Sequence, residues 1–267
     1  MSATSPQERI RSLLLALKLK TIALHLDAQL DAALANNTPA PDFIENLLEL
    51  EFNELTQRRI ERRITQSRLP ERKTLDDFDF DFQTGVDRRQ IMTLASLDFV
   101  NRGQGLVLGG HSGTGKSHIA KALLLIGCRQ NLRCRYTTAA DMLIDLKSGL
   151  VDDSLEKKLK QYIAPELLCI DELGFDRLEQ DDTRLAALFF KVIDGRYGRK
   201  STVLTMNMDF KALGAYLGDP VITAALVDRL VHHATIVRIE GPSWRMQQSK
   251  ILNQVPSDSS DPADTKE

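Results

Sequence analysis

The sequence predicts an α/β fold, in which a parallel sheet flanked by helices follows a small all-helical N-terminal domain. Three observations support this prediction: a phosphate-loop motif lies between an apolar strand and a helix, short apolar strands alternate with helical segments, and the apolar side chains of the first 70 residues follow helical spacing. Strands are expected at Leu106–Leu108, Arg133–Thr137, Leu167–Asp171, Thr202–Met206 and Thr235–Ile239.

The phosphate-loop motif spans Gly110–Ser117 and fits the pattern G-x-x-x-x-G-K-[ST]. Its glycines permit a tight turn in which successive backbone N–H groups point at an anion, and the following helix adds the positive end of its dipole. Lys116 would bring a full charge to the β- and γ-phosphates of ATP, and the Ser117 hydroxyl would ligate Mg²⁺. The predicted contacts to ATP in this segment are Gly110, Gly113, Thr114, Gly115, Lys116, Ser117 and His118.

Two acids, Asp171 and Glu172, end the apolar strand that begins at Leu167. We expect Asp171 to bind Mg²⁺ through a coordinated water and Glu172 to activate the water that attacks the γ-phosphate. A small-molecule kinase would not need the second acid, because its nucleophile comes from the substrate. The pair therefore favours ATP hydrolysis over a module that binds ATP without turnover. The alternative is an acidic loop after a core strand.

Three polar residues further along complete the predicted catalytic site. Asn207, at the end of the fourth expected strand, is placed to orient the hydrolytic water. Arg229 lies in the apolar helix Val221–His233, where an outward guanidinium would stabilise transition-state charge at a neighbouring subunit's γ-phosphate. The alternative for Arg229 is a salt bridge with Asp228 or another neighbour. Arg245, at the start of the final helix, is a candidate for sensing phosphate within its own subunit.

A basic helix in the N-terminal segment predicts a nucleic-acid contact. Asp42 and Glu45 have the spacing of a capping box and predict where this long helix starts. Between residues 57 and 73 seven basic side chains stand against two acidic ones. Helical spacing places four arginines on one side, which suits phosphates along a duplex, and the alternative is a solvated helix face. These arginines are Arg58, Arg59, Arg62 and Arg63.

The sequence predicts three parts of the chain. Residues 1–70 form a helical domain that binds DNA or a partner, residues 71–253 form the ATPase domain, and residues 254–267 form a disordered acidic tail. The tail holds four acids against one lysine and has no large apolar residue after Val255, so it has too little apolar surface to fold.

An aromatic segment opens the predicted ATPase domain. Phe78, Phe80 and Phe82 alternate with aspartates between Asp76 and Thr84. The segment either covers the nucleotide base or packs its rings onto the core. The residues alone leave both interpretations open.

Net charge, cysteine content and the lack of long apolar runs indicate the kind of protein and its compartment. The net charge of −2 gives no global attraction to nucleic acid, so DNA binding must come from a local patch. Three cysteines without metal-ligand spacing favour buried free thiols in a reducing cytoplasm. The N-terminus lacks the pattern of a secretory signal, and no apolar run approaches the ~20 residues that span a bilayer. We therefore expect a cytoplasmic protein with no membrane partner.

The order of these motifs resembles the layout of AAA+ ATPases. More closely, the chain resembles the IstB family of insertion-sequence transposition proteins, from about Leu13 to Lys250. One departure is His111-Ser112, where related loops often carry proline, and we expect it to alter loop stiffness without loss of binding. The segments that carry the resemblance are residues 113–120, 169–175, 205–207, 226–234 and 239–245.

The resemblance implies a function that the motifs alone do not. It implies a homo-oligomer that binds double-stranded DNA in an ATP-dependent manner and deforms it. It also implies that the assembly assists a transposase encoded by the same mobile element. Bacterial helicase loaders of the DnaC type share the core, so loading of a replicative helicase is the alternative function.

Overall fold

The computed structural model describes residues 5–175 and 183–252 of the chain. The predicted tail, residues 254–267, lies outside the described residues. The strands are β1 (Gly105–Gly110), β2 (Cys134–Thr138), β3 (Leu167–Leu173), β4 (Ser201–Met206) and β5 (Ala234–Ile239). The helices are α1 (Pro6–Ala16), α2 (Lys20–Ala35), α3 (Ala40–Ser67), α4 (Arg88–Ala95), α5 (Asp98–Asn101), α6 (Lys116–Arg129), α7 (Ala139–Gly149), α8 (Leu155–Ile163), α9 (Thr183–Arg196), α10 (Phe210–Leu217), α11 (Pro220–His232) and α12 (Trp244–Leu252).

The chain divides into two compact units, Met1–Arg63 and Ile64–Glu267. The first unit holds α1, α2 and most of α3, and the second holds β1 to β5. The division falls inside α3, whereas the boundary predicted after residue 70 follows the end of this helix. The predicted boundary stays a prediction.

In the first unit, a carboxylate from α3 caps the start of α2. The residue before α2, Leu19, has no side chain that could cap the helix. Instead the Glu51 side chain, 2% exposed, accepts hydrogen bonds from the backbone N–H groups of Thr21 (2.8 Å) and Ile22 (3.0 Å). The negative charge thereby satisfies two free donors at the positive end of the helix dipole.

The predicted capping box at Asp42 is wrong. Helix α3 begins at Ala40, and the carbonyl of Pro39 already accepts the first helical bond, from the N–H of Phe43 at 3.0 Å. A cap at Asp42 would make Phe43 the first helical residue, so the helix begins three residues earlier than predicted and Asp42 lies in its first turn. The fixed φ of proline suits such a helix start. A capping box does occur at α1, where Ser5 and Glu8 bond to each other's backbone N–H.

In the second unit, the five strands form one parallel sheet in the order β2-β3-β4-β1-β5. All five lie where the sequence predicts strands, and the predicted α/β class is confirmed. Because the strands are parallel, the carboxyl ends of β1, β3 and β4 meet at one edge of the sheet. The phosphate loop follows β1, the paired acids Asp171 and Glu172 lie near the end of β3, and Asn207 follows β4.

Helices cover both faces of the sheet. On one face Leu168, Ile170 and Leu204 belong to the apolar cluster formed with α7, α9 and α11. Alternate residues such as Leu106 and Cys169, both 0% exposed, point to the opposite face, where α6 packs. Burial on both faces explains why the strands read as almost continuous apolar runs.

Candidate nucleotide-binding site

The phosphate loop joins the end of β1 to the start of α6. Gly115, the residue before α6, has φ +95°, a backbone conformation that side-chain-bearing residues rarely adopt. At Gly110, with φ +148°, a Cβ atom would lie 2.1 Å from the carbonyl oxygen of Ile239 on β5. Both positions therefore require glycine. Gly115 requires it for its backbone conformation, and Gly110 requires it for its conformation and for the close approach of β5.

The Lys116 side chain bonds to the backbone of the phosphate loop. Its ammonium group donates to the carbonyl oxygen of His111 at 2.6 Å, and the residue is 8% exposed. Burial lowers the pKa of Lys116, the charge of Asp171 raises it, and the charge of Arg245 lowers it further. A phosphate group at this position would supply the negative charge that favours the protonated amine.

Asp171 is buried behind the loop and is surrounded by hydroxyl donors. Its carboxylate, in a residue 1% exposed, accepts from Ser117 Oγ at 2.8 Å and from Tyr136 Oη at 2.7 Å. Thr205 Oγ1 also donates to it. Burial raises the pKa of Tyr136, and the charge of Asp171 raises it further. This phenol therefore stays protonated and remains a donor.

Glu172 is exposed to solvent, whereas the preceding residue, Asp171, is buried. The φ of Glu172 is +64°, uncommon for a residue with a side chain and costly for the backbone. The strained conformation is held by its N–H group, which donates to Thr205 Oγ1 at 2.9 Å. Glu172 is exposed, and it lines a cavity at the carboxyl ends of the strands.

A cavity of about 750 Å³ lies at this edge of the sheet. Its walls include residues 113–118 of the loop and helix, Glu172, Asn207 and Arg245. Gly110 lies against the carbonyl of Ile239 at the start of the loop, and Asp171 contacts the cavity wall through its hydrogen bond with Ser117. The structure thus gathers these predicted residues around one space.

The aromatic segment packs on the loop and also borders the cavity. Phe78 is 9% exposed and meets the His118 ring edge-on at 5.4 Å between ring centres. Phe82 meets the ring of Trp244 edge-on at 4.9 Å. Both phenylalanines line the cavity. The rings pack on neighbouring side chains, as one interpretation has it, and a cover over the nucleotide base stays a prediction.

Arg229 lies at the other edge of the sheet. Helix α11 ends at His232, and the carbonyl of His233 accepts from the N–H of Gly105, where β1 begins. The Arg229 guanidinium donates to Asp194 at 2.7 Å and lies 4.6 Å from the Phe190 ring centre. Among the described residues that line the nucleotide cavity Arg229 is absent. The alternative of a salt bridge with a neighbour is therefore present within the subunit, with Asp194 as the partner.

The four arginines of the basic helix lie on α3 in the first unit. Arg59 and Arg62 are exposed and Arg63 is partly buried. Arg58 is also exposed and forms an ion pair with Glu54, Nε to Oε1 2.9 Å. The spacing predicted for this face is present, with one of its charges partly neutralised by an acid one turn away.

Sequence reasoning missed three side chains at the nucleotide site. Thr205 and Tyr136 lie near the carboxyl ends of β4 and β2, and this position was the available signal. Gln83, 3% exposed, donates from Nε2 to the carbonyl oxygen of Thr114 at 2.8 Å and thereby fixes the loop. No local pattern marks Gln83, because its partner lies 31 positions away.

Two features are absent from the described part of the chain. No helix there is long and apolar enough to cross a membrane. No group of three or more His, Cys, Asp or Glu residues there surrounds a position for a metal ion. The predicted magnesium site needs no such group, since Mg²⁺ is commonly held by one or two carboxylates together with substrate phosphates.

Comparison with known proteins identifies the family to which this chain is similar. The family model described as "IstB-like ATP binding protein" matches residues 12–251. The "Insertion sequence IS232 putative ATP-binding protein" of Bacillus thuringiensis subsp. berliner is 35% identical over 86% of this chain and 91% of its own length. The "Insertion sequence IS5376 putative ATP-binding protein" of Geobacillus stearothermophilus is 34% identical over 94% of this chain and 99% of its own length.

Solved structures share the fold over much of the chain. AMPPCP-bound DnaA from Aquifex aeolicus matches with a TM-score of 0.54 at 20% identity, over 72% of this chain and 59% of the DnaA chain. The likeness shows the AAA+ P-loop fold, a parallel five-stranded sheet flanked by helices.

Proposed function

The chain belongs to the IstB-like family of ATP-binding proteins, and from this premise we propose that it is an ATPase that assembles on double-stranded DNA, deforms it and assists a transposase. The observation that carries the proposal is the sheet edge where the phosphate loop, buried Asp171 and exposed Glu172 meet. A protein that only held ATP would need the loop and Asp171. The outward carboxylate of Glu172 adds a base beside the cavity.

The N–H groups, the ammonium group and the oxygen ligands at this edge of the sheet suit ATP together with Mg²⁺. The loop amides and Lys116 would bind the phosphates, and Ser117 with Asp171 would hold Mg²⁺. Mg²⁺ supplies charge neutralisation on the β- and γ-phosphates when bound. The hydrogen bond of 2.8 Å between Ser117 and Asp171 supports this assignment, because it brings together two oxygen ligands of the kind that Mg²⁺ prefers.

Hydrolysis would be assigned to Glu172 and Asn207. Glu172 would accept the proton of the attacking water, and the Asn207 amide would orient that water. Both side chains are exposed and line the cavity that the loop borders. The strained backbone of Glu172, φ +64°, supports a functional role, since such strain recurs at catalytic positions.

Two arginines would contact phosphate, Arg245 in its own subunit and Arg229 in a neighbouring subunit. Arg245 lines its own cavity and would sense phosphate in cis. Arg229 lies at the opposite sheet edge, so it would reach only the γ-phosphate of a neighbour, where its charge would stabilise the transition state. At that surface Arg229 contacts Asp194 and the Phe190 ring of its own subunit.

Assembly on DNA would use the first unit. The arginine face of α3 offers phosphate contacts along a duplex. Large apolar side chains of the same unit are exposed, which supports a homo-oligomer because extensive exposed apolar surface marks interaction sites. They include Leu13 (64%), Leu17 (69%), Leu24 (77%) and Phe52 (68%).

The transposase partner is inferred from the relatives. Both relatives described above are named for insertion sequences and align over more than nine-tenths of their own length. We therefore place this chain beside a transposase of the same mobile element, in a reducing cytoplasm that suits three buried cysteines outside any disulfide bond. Helicase loading, the alternative function, has support from the resemblance of the ATPase core.

The test compares nucleotide binding with phosphate release for two variants. Lys116→Ala should lose ATP binding, because the phosphate charge is left without its cation. Glu172→Gln should bind ATP as the wild type does and release phosphate far more slowly, so that the protein stays on duplex DNA in its ATP-bound form. Glu156→Gln, at an exposed ion pair on α8, is the matched control.

Phosphate release by Glu172→Gln at the wild-type rate would remove the proposed role of this carboxylate. The transposition role is tested separately, by transposase-dependent insertion into target DNA in a purified system. If insertion proceeds equally with and without this protein, the helper function is wrong even where the ATPase function holds.

A further inference from the structure

We infer that Tyr136 is a positioning residue for the proposed magnesium site, with its hydroxyl fixing the orientation of the Asp171 carboxylate. The inference rests on the proposed function, since it takes Ser117 and Asp171 as the residues that hold Mg²⁺. Tyr136 lies on β2, and its hydroxyl donates to Asp171 Oδ2 at 2.7 Å. The two side chains come from adjacent parallel strands.

The two carboxylate oxygens of Asp171 have different partners. Oδ1 accepts from Ser117 at 2.8 Å and from Thr205, whereas Oδ2 accepts from Tyr136. A carboxylate bonded at one oxygen alone keeps more freedom to rotate about its Cβ–Cγ bond than one bonded at both. The phenol at Oδ2 removes that freedom and keeps Oδ1 directed toward Ser117, the side from which the metal would be held.

The Tyr136 ring is itself fixed in place. Residue 136 is partly buried, and the Lys121 ammonium lies 5.7 Å from its ring centre, within the range of a cation–π contact. Lys121 follows Ser117 by one turn of α6, lines the nucleotide cavity and has a side chain only 16% exposed. The same helix that presents Ser117 therefore also holds the phenol that orients Asp171.

Groups that orient metal ligands affect metal affinity even though they do not touch the metal. Their removal commonly weakens metal binding by about 10- to 100-fold. In Tyr136→Phe the ring is kept and only the donor to Oδ2 is removed. The expected effect is therefore on the magnesium requirement, with nucleotide binding by the loop amides and Lys116 unchanged.

The test measures binding of a fluorescent mant-ATP probe to the full chain over a magnesium titration and in EDTA. For Tyr136→Phe we expect the Mg²⁺ concentration at half-maximal enhancement to rise about 10-fold or more, while the affinity in EDTA stays the same. Tyr162→Phe is the matched control, because Tyr162 Oη donates to Asp145 Oδ2 at 2.8 Å in a partly buried tyrosine–aspartate pair on α8 and α7. The control should leave both measurements unchanged.

A double variant keeps the inference testable if Tyr136→Phe lowers stability. If the phenol acts through Asp171, Tyr136→Phe should add nothing to the magnesium effect of Asp171→Asn. Additive effects, or a wild-type magnesium titration in Tyr136→Phe, would overturn the inference and leave the proposed magnesium site standing. Wild-type binding that does not respond to Mg²⁺ would instead overturn the site itself, and the inference with it.

Discussion

The hydroxyl of Ser117 donates to Oδ1 of Asp171 across 2.8 Å, although the two residues lie 54 positions apart in the chain. Ser117 belongs to the first turn of α6, and Asp171 lies on β3, which β4 separates from β1. The bond therefore ties the phosphate loop to the strand that carries both acids. Its geometry depends on the parallel sheet, which sets the carboxyl ends of β1 and β3 at one edge.

Asp171→Asn should weaken the magnesium-dependent part of ATP binding by about 10-fold or more, because the amide removes the charge that attracts the cation. Binding in EDTA should change little, since Lys116 and the loop amides remain. Isothermal titration calorimetry with and without Mg²⁺ measures both quantities. Asp145→Asn, which removes the charge of another carboxylate that accepts from a tyrosine hydroxyl, serves as the control. Equal magnesium dependence in Asp171→Asn and the wild type would contradict the assignment.

Charge reversal on the basic face of α3 should weaken duplex binding roughly equally for all sequences, since phosphate contacts carry no sequence information. The slope of log affinity against log salt should shrink by about 0.9 for each DNA phosphate that the variant no longer neutralises. Fluorescence anisotropy over a salt series measures this slope. The variant changes Arg58, Arg59, Arg62 and Arg63 to glutamate.

The control for this charge reversal is Lys157→Glu with Lys160→Glu, two exposed positions on α8. This pair should leave the salt slope as it is in the wild type. If the quadruple arginine variant also keeps the wild-type slope, the face is a solvated helix surface and the DNA contacts lie elsewhere.

Arg229→Ala should keep ATP binding and lose turnover, because the phosphate loop stays intact while the neighbour's transition-state charge loses its cation. Hydrolysis per subunit should also rise with protein concentration and rise further with DNA, which aligns subunits. Mixing Arg229→Ala with Lys116→Ala should restore part of the activity, since each variant lacks a different half of the shared site. Phosphate release from the mixture measures this recovery.

The ion pair with Asp194 supplies the control for Arg229. Asp194→Ala breaks the same 2.7 Å ion pair but keeps the guanidinium, so it should retain most of the turnover. Two results would count against a shared site. One is equal loss in Asp194→Ala and Arg229→Ala, which would make the residue a fold contact. The other is a demonstrated mixed oligomer with no recovery of activity.

Arg196→Met should lower the free energy of unfolding by about 3 kcal/mol or more, because buried carbonyl groups lose their donors. Arg196 is 1% exposed and donates to the backbone carbonyls of Tyr162, Ile163, Pro165 and Ser201. Burial lowers the pKa of Arg196 to about 9, which leaves the guanidinium charged at neutral pH. Urea unfolding of the wild type and variant gives the difference.

The exposed Arg199 on the loop after α9 is the control for Arg196. Arg199→Met should change the free energy of unfolding by less than about 0.5 kcal/mol, as is usual for surface positions. A loss at Arg196 no larger than this would show that water satisfies the carbonyl groups in its place.

The sequence by itself determined the parts of this protein that depend on short-range chemistry. The spacing from Gly110 to Ser117 encodes a loop because glycine conformations and a helix start are local properties. The five strands are readable because each is an apolar run bounded by turns and alternates with helices. Placing Asp171 and Glu172 near the loop followed from one topological rule, that parallel strands end at a common edge.

Tertiary structure alone decided which side chains complete the site and where the others lie. Tyr136 and Thr205 reach Asp171 through the register of neighbouring strands, and Glu51 caps a helix 30 positions earlier in the chain. Arg229 lies at the sheet edge opposite the loop. Such contacts join positions far apart in the chain, so they depend on how strands and helices pack, and no local pattern of residues specifies that packing.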